Sequence, residues 1–147
     1  MDFLVILGFL LPADFGVAAP ADGGRPQPVI GWSWQIAPEL LSDRFPTELS
    51  HHRVVPAVDL LPRADGASWR GRLGYRYDRR HVFAGAGVGV DGAGVSLSPE
   101  LGIKFLHSAD GPRYGADPSL HLLARAEIAP RSGELRGATV LLGWNVF

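Results

Sequence analysis

The residues of this chain that could carry chemistry are few and lie far apart. There are five histidines and no cysteine, which excludes disulfides and thiolate metal sites. His51 and His52 are adjacent, and neighbours on a strand point to opposite faces, so they make a poor pair of metal ligands. We expect structural or interfacial roles for His81, His107 and His121, and we predict no metal site and no cofactor.

Hydrolysis would need a nucleophile, a base and an acid, and these residue types meet in the sequence at His107, Ser108 and Asp110. A catalytic triad is defined by geometry, and neighbours in sequence rarely form one. Glu100 and Glu127 could form an acid–base pair, but arginines on the same predicted faces favour salt-bridged carboxylates. We therefore predict no catalytic residues, with a barrel-embedded lipid hydrolase as an alternative.

Nucleotide and nucleic-acid binding have no support in the sequence. Gly85, Gly87 and Gly89 lack the spacing and the following helix of a phosphate-binding loop. The formal net charge is −1 over 147 residues, which provides no electrostatic footprint for nucleic acid. We expect no nucleic-acid partner.

The elements that carry these residues have a period of two. In Trp69–Tyr77 the apolar residues and Gly71 alternate with three arginines and Gly74. Such alternation is typical of a strand with one apolar and one polar face. The predicted strands are Val29–Ala37, His52–Leu61, Trp69–Tyr77, His81–Val90, Val95–His107, Ser119–Ala129 and Leu135–Phe147. Short links such as Asp91-Gly92 join most of them, which predicts an all-β, antiparallel meander.

The polar faces of these strands carry charges of both signs. In a narrow barrel these charges would form an ionic network in the lumen, because about eight strands leave room only for side chains. Glycines at 85, 87 and 89 would leave space for the long arginines. The predicted network consists of Arg70, Arg72, Arg76, Glu100, Lys104, Arg125 and Glu127, with Arg53 and Asp59 on similar faces.

The apolar faces carry aromatic residues near the strand ends, namely Trp69, Tyr77 and Trp144. Aromatic girdles at the two membrane interfaces produce this pattern. Alternation does not by itself say whether the apolar faces turn outward to lipid or inward to a core. The alternative is therefore a soluble, exported lipocalin-like barrel that binds an apolar ligand and is located in the periplasm or secreted.

From Pro28 to Phe147 the chain resembles small bacterial outer-membrane β-barrel proteins. The resemblance is carried by alternating strands of about ten residues, turns that contain Gly and Asp, and the ending V-L-L-G-W-N-V-F. It implies a single antiparallel up-and-down barrel of nominally eight strands in the outer membrane. The implied partners are the lipid bilayer, lipopolysaccharide and the barrel-assembly machinery, which would read Phe147 as an assembly signal.

The chain departs from that family in two respects. Phe147 is out of phase with the more apolar set of the last strand, which includes Trp144 and Val146. The seven predicted strands are also an odd number, whereas bacterial single-chain barrels have an even number. We therefore expect a further strand within Phe3–Leu11 or Leu40–Ser50.

The first 21 residues resemble a signal peptide. The apolar run Phe3–Leu11 is followed by small residues ending in Ala19-Pro20-Ala21, although Asp2 stands where a cation is usual. The predicted domains are a signal peptide over 1–21 and a barrel over 22–147. We predict a structural or adhesive role, or binding through outer loops around Leu40–Ser50 and Ser108–Asp117. A wide pore is excluded, because it needs about 16 strands.

Overall fold

The computed structural model of the protein describes residues 12–36, 51–79, 81–107 and 118–146, with only the backbone at 106, 107, 118, 145 and 146. Its strands form one closed antiparallel barrel in sequence order, and the last strand pairs with the first. The fold-class prediction is confirmed. The strands are β1 (Ala13–Pro20), β2 (Gln27–Ser33), β3 (His52–Arg63), β4 (Gly66–Asp78), β5 (Val82–Asp91), β6 (Gly94–His107), β7 (Pro118–Ile128) and β8 (Leu135–Val146).

The strand that completes the barrel is β1, and its predicted location was wrong. It lies at Ala13–Pro20 and pairs with both β2 and β8. The segments Phe3–Leu11 and Leu40–Ser50, where the strand was expected, lie outside the described residues. Within β1 the period of two holds, since Phe15 and Val17 are exposed and Asp14 is buried. The small residues after Val17 resemble a cleavage site and conceal that period.

β1 also lies inside the predicted signal peptide. Cleavage after Ala21 would remove this strand and leave β2 and β8 without their shared neighbour. The barrel described here begins at Ala13, not at residue 22. Cleavage of residues 1–21 stays a prediction.

The two ends of the barrel differ in their connections. At one end, the turn end, the strands are joined by residues 21–26, 64–65, 92–93 and 129–134. At the other, the loop end, β1 begins, β8 ends, and the connections are residues 34–51, 79–81 and 108–117. The segments Leu40–Ser50 and Ser108–Asp117, predicted as outer loops, belong to loop-end connections and lie outside the described residues.

The hairpin between β5 and β6 shows how a short turn-end connection is built. Asp91 pairs with Gly94 across the turn, and the Asp91 carboxylate accepts a hydrogen bond from the Ala93 N–H at 2.8 Å. Gly94 has a φ of 105°, a region that side chains with a Cβ avoid. Asp and Gly therefore allow β6 to fold back directly on β5.

The barrel is apolar outside and polar inside. Leu73, Leu101 and Trp69 on the outer surface are 60%, 61% and 57% exposed. The buried apolar cluster inside is small and consists of Val29, Leu61, Phe83, Leu123 and Leu141. The lipocalin-like alternative required the apolar faces to turn inward, and the structure places them outside.

Candidate functional site

The alternation of each strand determines which side chains enter the barrel. On β4 the arginines and Asp78 point inward, while Trp69, Leu73 and Tyr75 point outward. The same rule applies on β6 and β7. As a result, all seven residues of the predicted network lie inside the barrel, and each of them forms an ion pair.

Five side chains from four strands meet in the middle of the barrel and form what we call the central cluster. The carboxylate of Asp59 accepts hydrogen bonds from Arg72 Nε and Nη2, both at 3.2 Å, and from Arg125 Nη1 at 2.8 Å. Glu100 Oε1 lies 2.7 Å from Arg76 Nε, and Glu100 Oε2 lies 3.7 Å from Arg125 Nε on the adjacent strand β7. These side chains are 1–6% exposed, so the cluster closes the lumen.

A second group, the turn-end cluster, lies nearer the short connections. Arg70 pairs with Asp91 at 3.0 Å and with Glu127 at 3.1 Å. Ser96 and Ser98 donate hydrogen bonds to Glu127 Oε2 at 2.9 and 2.7 Å. A cavity of about 230 Å³, which opens at the turn end, is lined in part by Arg70, Asp91 and Glu127. This end of the interior is therefore open to water.

Two further pairs lie towards the loop end. Lys104 Nζ is 2.6 Å from Asp78 Oδ1, which places Lys104 of the predicted network opposite an acid on β4. His121 Nε2 is 3.0 Å from Asp14 Oδ1, and Ser33 donates a hydrogen bond to Asp14 Oδ2 at 2.9 Å. Together with the two clusters, these pairs distribute polar and charged contacts along the length of the interior.

Four members of this interior were missed by sequence reasoning, although each follows from the period of two. Asp78 comes two residues after Arg76, and His121 comes four before Arg125, so both share a face with predicted members. Asp91 was interpreted only as a turn residue. Asp14 was missed because β1 was interpreted as part of a signal peptide.

Glycines make room for these side chains. A Cβ on Gly89 would lie 2.8 Å from Ser96 Oγ and 3.3 Å from Arg72 Cγ, and one on Gly85 would lie 3.1 Å from Glu100 Oε1. Elsewhere, a Cβ on Gly143 would lie 1.8 Å from Asp14 Oδ1. Around these glycines the interior is therefore closely packed, with charged groups in place of apolar ones.

Phe83 is the large apolar side chain that packs among these charges. It is 1% exposed, and the Arg76 guanidinium lies over its ring at 4.2 Å. The His121 ring meets it edge-on at 5.7 Å. Gly102 faces the ring closely, since a Cβ there would lie 2.1 Å from Phe83 Cζ. Phe83 thus packs between Arg76 of the central cluster and His121, which lies towards the loop end.

The predicted aromatic girdle residues point outward. Trp69 lies towards the turn end of β4 and stacks on Trp32 with ring centroids 6.5 Å apart. Tyr77 lies at the loop end of β4, and Trp144 lies in the loop-end half of β8, where it pairs with Ala13. Phe147, the predicted assembly signal, lies outside the described residues.

The geometry does not assemble a catalytic or metal site in the part of the chain that the structure describes. Glu100 and Glu127 belong to different clusters, and each is paired with arginine. Ser108, Asp110 and the His107 side chain lie outside that part. Within it, no group of three or more His, Asp or Glu residues is placed to hold a metal ion.

No family model, no curated protein and no solved structure matches this chain. Within the described residues, no helix is long and apolar enough to cross a membrane. A function for this protein therefore has to be argued from its own side chains, and the most informative of these are the apolar exterior and the charged, closed interior.

Proposed function

We propose that this protein is a small β-barrel embedded in a bacterial outer membrane, with a structural or adhesive role or a binding role carried by its loops. The observation that supports this most strongly is the reversed distribution of polarity. Outward positions of β4, β5, β6 and β7 carry no charged side chain among the described residues, whereas the interior holds six or more ion pairs. In a membrane, this arrangement places the apolar side chains of a strand against lipid and pairs the charged side chains of its other face inside the barrel.

The size of the apolar exterior supports a membrane location over an existence in water alone. The outward side chains of β6 are apolar from Val95 to Phe105, and Leu97 and Leu101 are 44% and 61% exposed. Neighbouring strands continue the same surface around the barrel. Monomeric soluble proteins rarely expose an apolar patch of more than about 600 Å². Lipid is the partner that covers such a surface on all sides.

The height of this surface also fits a bilayer. From Val95 to Phe105 the strand advances about ten residues, or roughly 33 Å at about 3.3 Å per residue. A strand tilted by about 40° then spans roughly 25 Å along the membrane normal, which is the usual height of the apolar band of such barrels. Trp69 and Tyr77 lie close to the two edges of this band on β4.

The interior argues against a pore. The central cluster joins β3, β4, β6 and β7 across the lumen, and its side chains are almost fully buried. Water and ions would have to break several charge-assisted hydrogen bonds to pass. We therefore propose a closed barrel whose role depends on its outer wall and its ends. Lipopolysaccharide and the barrel-assembly machinery are the further partners that we propose.

Cell fractionation with an electrophoretic assay tests this proposal. We expect the protein in the outer-membrane fraction after cell lysis, and we expect unheated and boiled samples in detergent to migrate differently. In planar bilayers, the purified protein should give no stable conductance steps. Release by osmotic shock, together with identical migration of heated and unheated samples, would contradict the membrane proposal. Stable conductance would contradict the closed interior.

A further inference from the structure

At the loop end, the outer wall carries a compact group of aromatic and basic side chains, which we call the rim cluster. It consists of His51, His52, Tyr75, Tyr77 and Arg79. His52 Nδ1 is hydrogen-bonded to the Tyr75 hydroxyl, and the His52 ring meets Tyr77 edge-on at 5.4 Å. The His51 ring is 5.9 Å from the Tyr77 ring, and Arg79 Cζ is 6.0 Å from the Tyr77 ring centroid. Tyr77 is therefore the centre of the group.

The strand register explains why these residues meet. His52 begins β3 and pairs with Tyr77 near the end of β4, so both strands leave the barrel wall at the same height. A hydrogen bond of 2.7 Å from the Asp78 N–H to the His51 carbonyl holds these ends of β3 and β4 together just beyond this pair. His51 and Arg79 consequently lie immediately past the edge of the apolar wall. Both are exposed.

Arg79 gives the rim cluster a positive charge. The exposed carboxylates of the described residues, Asp22, Asp65 and Glu134, all belong to turn-end connections at the opposite end of the barrel. Asp78 precedes Arg79 directly, but it faces the interior and pairs with Lys104. The Arg79 guanidinium is thus presented to the surroundings of the barrel, on the side where the apolar wall ends.

The wall next to the rim cluster is apolar and exposed. Tyr77 and Tyr75 pair with Ala84 and Ala86 on β5, so small outward side chains stand beside the two tyrosines. Further from the rim, the same face of β4 continues to Leu73, which is 60% exposed. An acyl chain lying along this face would have its polar head beside Arg79.

We infer that the rim cluster binds the phosphate group of a membrane lipid. Guanidinium, imidazole and phenol groups at the edge of an apolar wall match an anionic acceptor at headgroup depth, and arginine binds phosphate oxygens through two parallel hydrogen bonds. The exposed apolar wall beside the rim cluster favours a lipid over free phosphate. This inference rests on the proposed membrane location.

Native mass spectrometry of the refolded full chain tests the inference. The protein is released from micelles that contain equal amounts of dioleoyl phosphatidic acid and a galactolipid with the same acyl chains. For the unmodified chain, we expect retention of phosphatidic acid over galactolipid. In the double variant Arg79→Gln, His51→Gln this preference should fall about tenfold, because a charge-assisted contact is lost. Arg79→Lys should keep most of it.

A matched variant at the turn end controls for net charge. Arg63→Gln, Arg131→Gln removes two exposed arginines, and so at least as much positive charge as the rim variant, but at the opposite end of the barrel; it should leave the lipid preference unchanged. Heat-dependent migration shows that each variant has folded, and Arg79→Gln alone replaces the double variant if the latter does not insert.

The outcomes separate this inference from the proposed function. An equal preference in the unmodified chain and in the rim variant would overturn the lipid-phosphate site while leaving the membrane barrel intact. Displacement of phosphatidic acid by millimolar inorganic phosphate would also overturn it, because the site would then recognise free anions. Insertion into micelles without retention of either lipid would likewise overturn only the lipid-phosphate site, whereas failure of the unmodified chain to insert into micelles would contradict the membrane proposal itself.

Discussion

The central cluster and the turn-end cluster use the same chemistry in different surroundings. In the central cluster, three arginines and two carboxylates are 1–6% exposed. In the turn-end cluster, Arg70 and Asp91 are 16% and 20% exposed and border a cavity. Charge interactions are much stronger where water is excluded, but so is the penalty for leaving a charge unpaired. The middle of the barrel should therefore be intolerant of charge changes, and its turn end should be tolerant.

The two clusters also complement each other in charge. The central cluster has one more arginine than carboxylates, and the turn-end cluster has one more carboxylate than arginines, so together they are neutral. They are connected along the strands, since Arg70 and Arg72 are two residues apart on β4. A loss of charge in one cluster therefore changes the balance of the whole interior.

The largest effect is expected for Asp59→Asn. This change keeps the shape of the side chain but removes the charge that holds Arg72 and Arg125, leaving Glu100 as the only carboxylate among three arginines of the central cluster. Removing one partner of a buried ion pair costs about 3–5 kcal/mol. Equilibrium unfolding in urea with the barrel in micelles, followed by tryptophan fluorescence, measures this loss. A loss below about 1 kcal/mol would show that the middle of the barrel is hydrated.

A smaller effect is expected for Gly102→Ala. The new methyl group would meet the ring of Phe83, which is held between Arg76 and His121 and has little freedom to move. Overpacking of a tight interior typically costs about 1–3 kcal/mol. Gly92→Ala is the control, because a Cβ at Gly92 meets nothing within 4 Å and that residue lies in a turn. Equal unfolding midpoints for the two variants would contradict a tightly packed interior.

The smallest effect is expected for Asp91→Asn. The substitution removes a charge from the turn-end cluster, but Arg70 retains Glu127, and the Asn oxygen can still accept the hydrogen bond from the Ala93 N–H. Partly exposed ion pairs contribute about 0–1 kcal/mol. The same urea titration measures the change. Because the substitution is chemically identical to Asp59→Asn, an equal loss of unfolding free energy at the two sites would contradict the difference between the clusters.

Much of the architecture was predictable, because alternation over ten or more residues, as on β4, has few structural alternatives. The inward set followed from the same alternation once the apolar faces were assumed to point outward. Alternation alone did not give that orientation, since a period of two is identical for a core facing inward and a wall facing lipid. The aromatic residues near the strand ends and the charges of both signs on the polar faces were the features that favoured it.

The partners within the interior were less predictable than its members. Arg125 and Asp59 are separated by 66 residues and lie on β7 and β3, which are not neighbours in the sheet. They meet because the lumen is narrow enough for side chains to reach across it. Strand order and register describe contacts along the wall, so they contain no direct information about contacts across the lumen.

The pairing of β1 with β8 makes closure of the barrel a contact between the beginning and the end of the described chain. Ala13 pairs with Trp144, a separation of 131 residues, and at Gly16 an added Cβ would lie 1.8 Å from the Val140 carbonyl oxygen. Contacts between distant residues carry the largest loop-closure cost and slow folding. Until this seam between β1 and β8 forms, each of the two strands has one unpaired edge that can join other chains. We expect the seam to close last, and protection of these two edges to be the step at which assembly succeeds or aggregation begins.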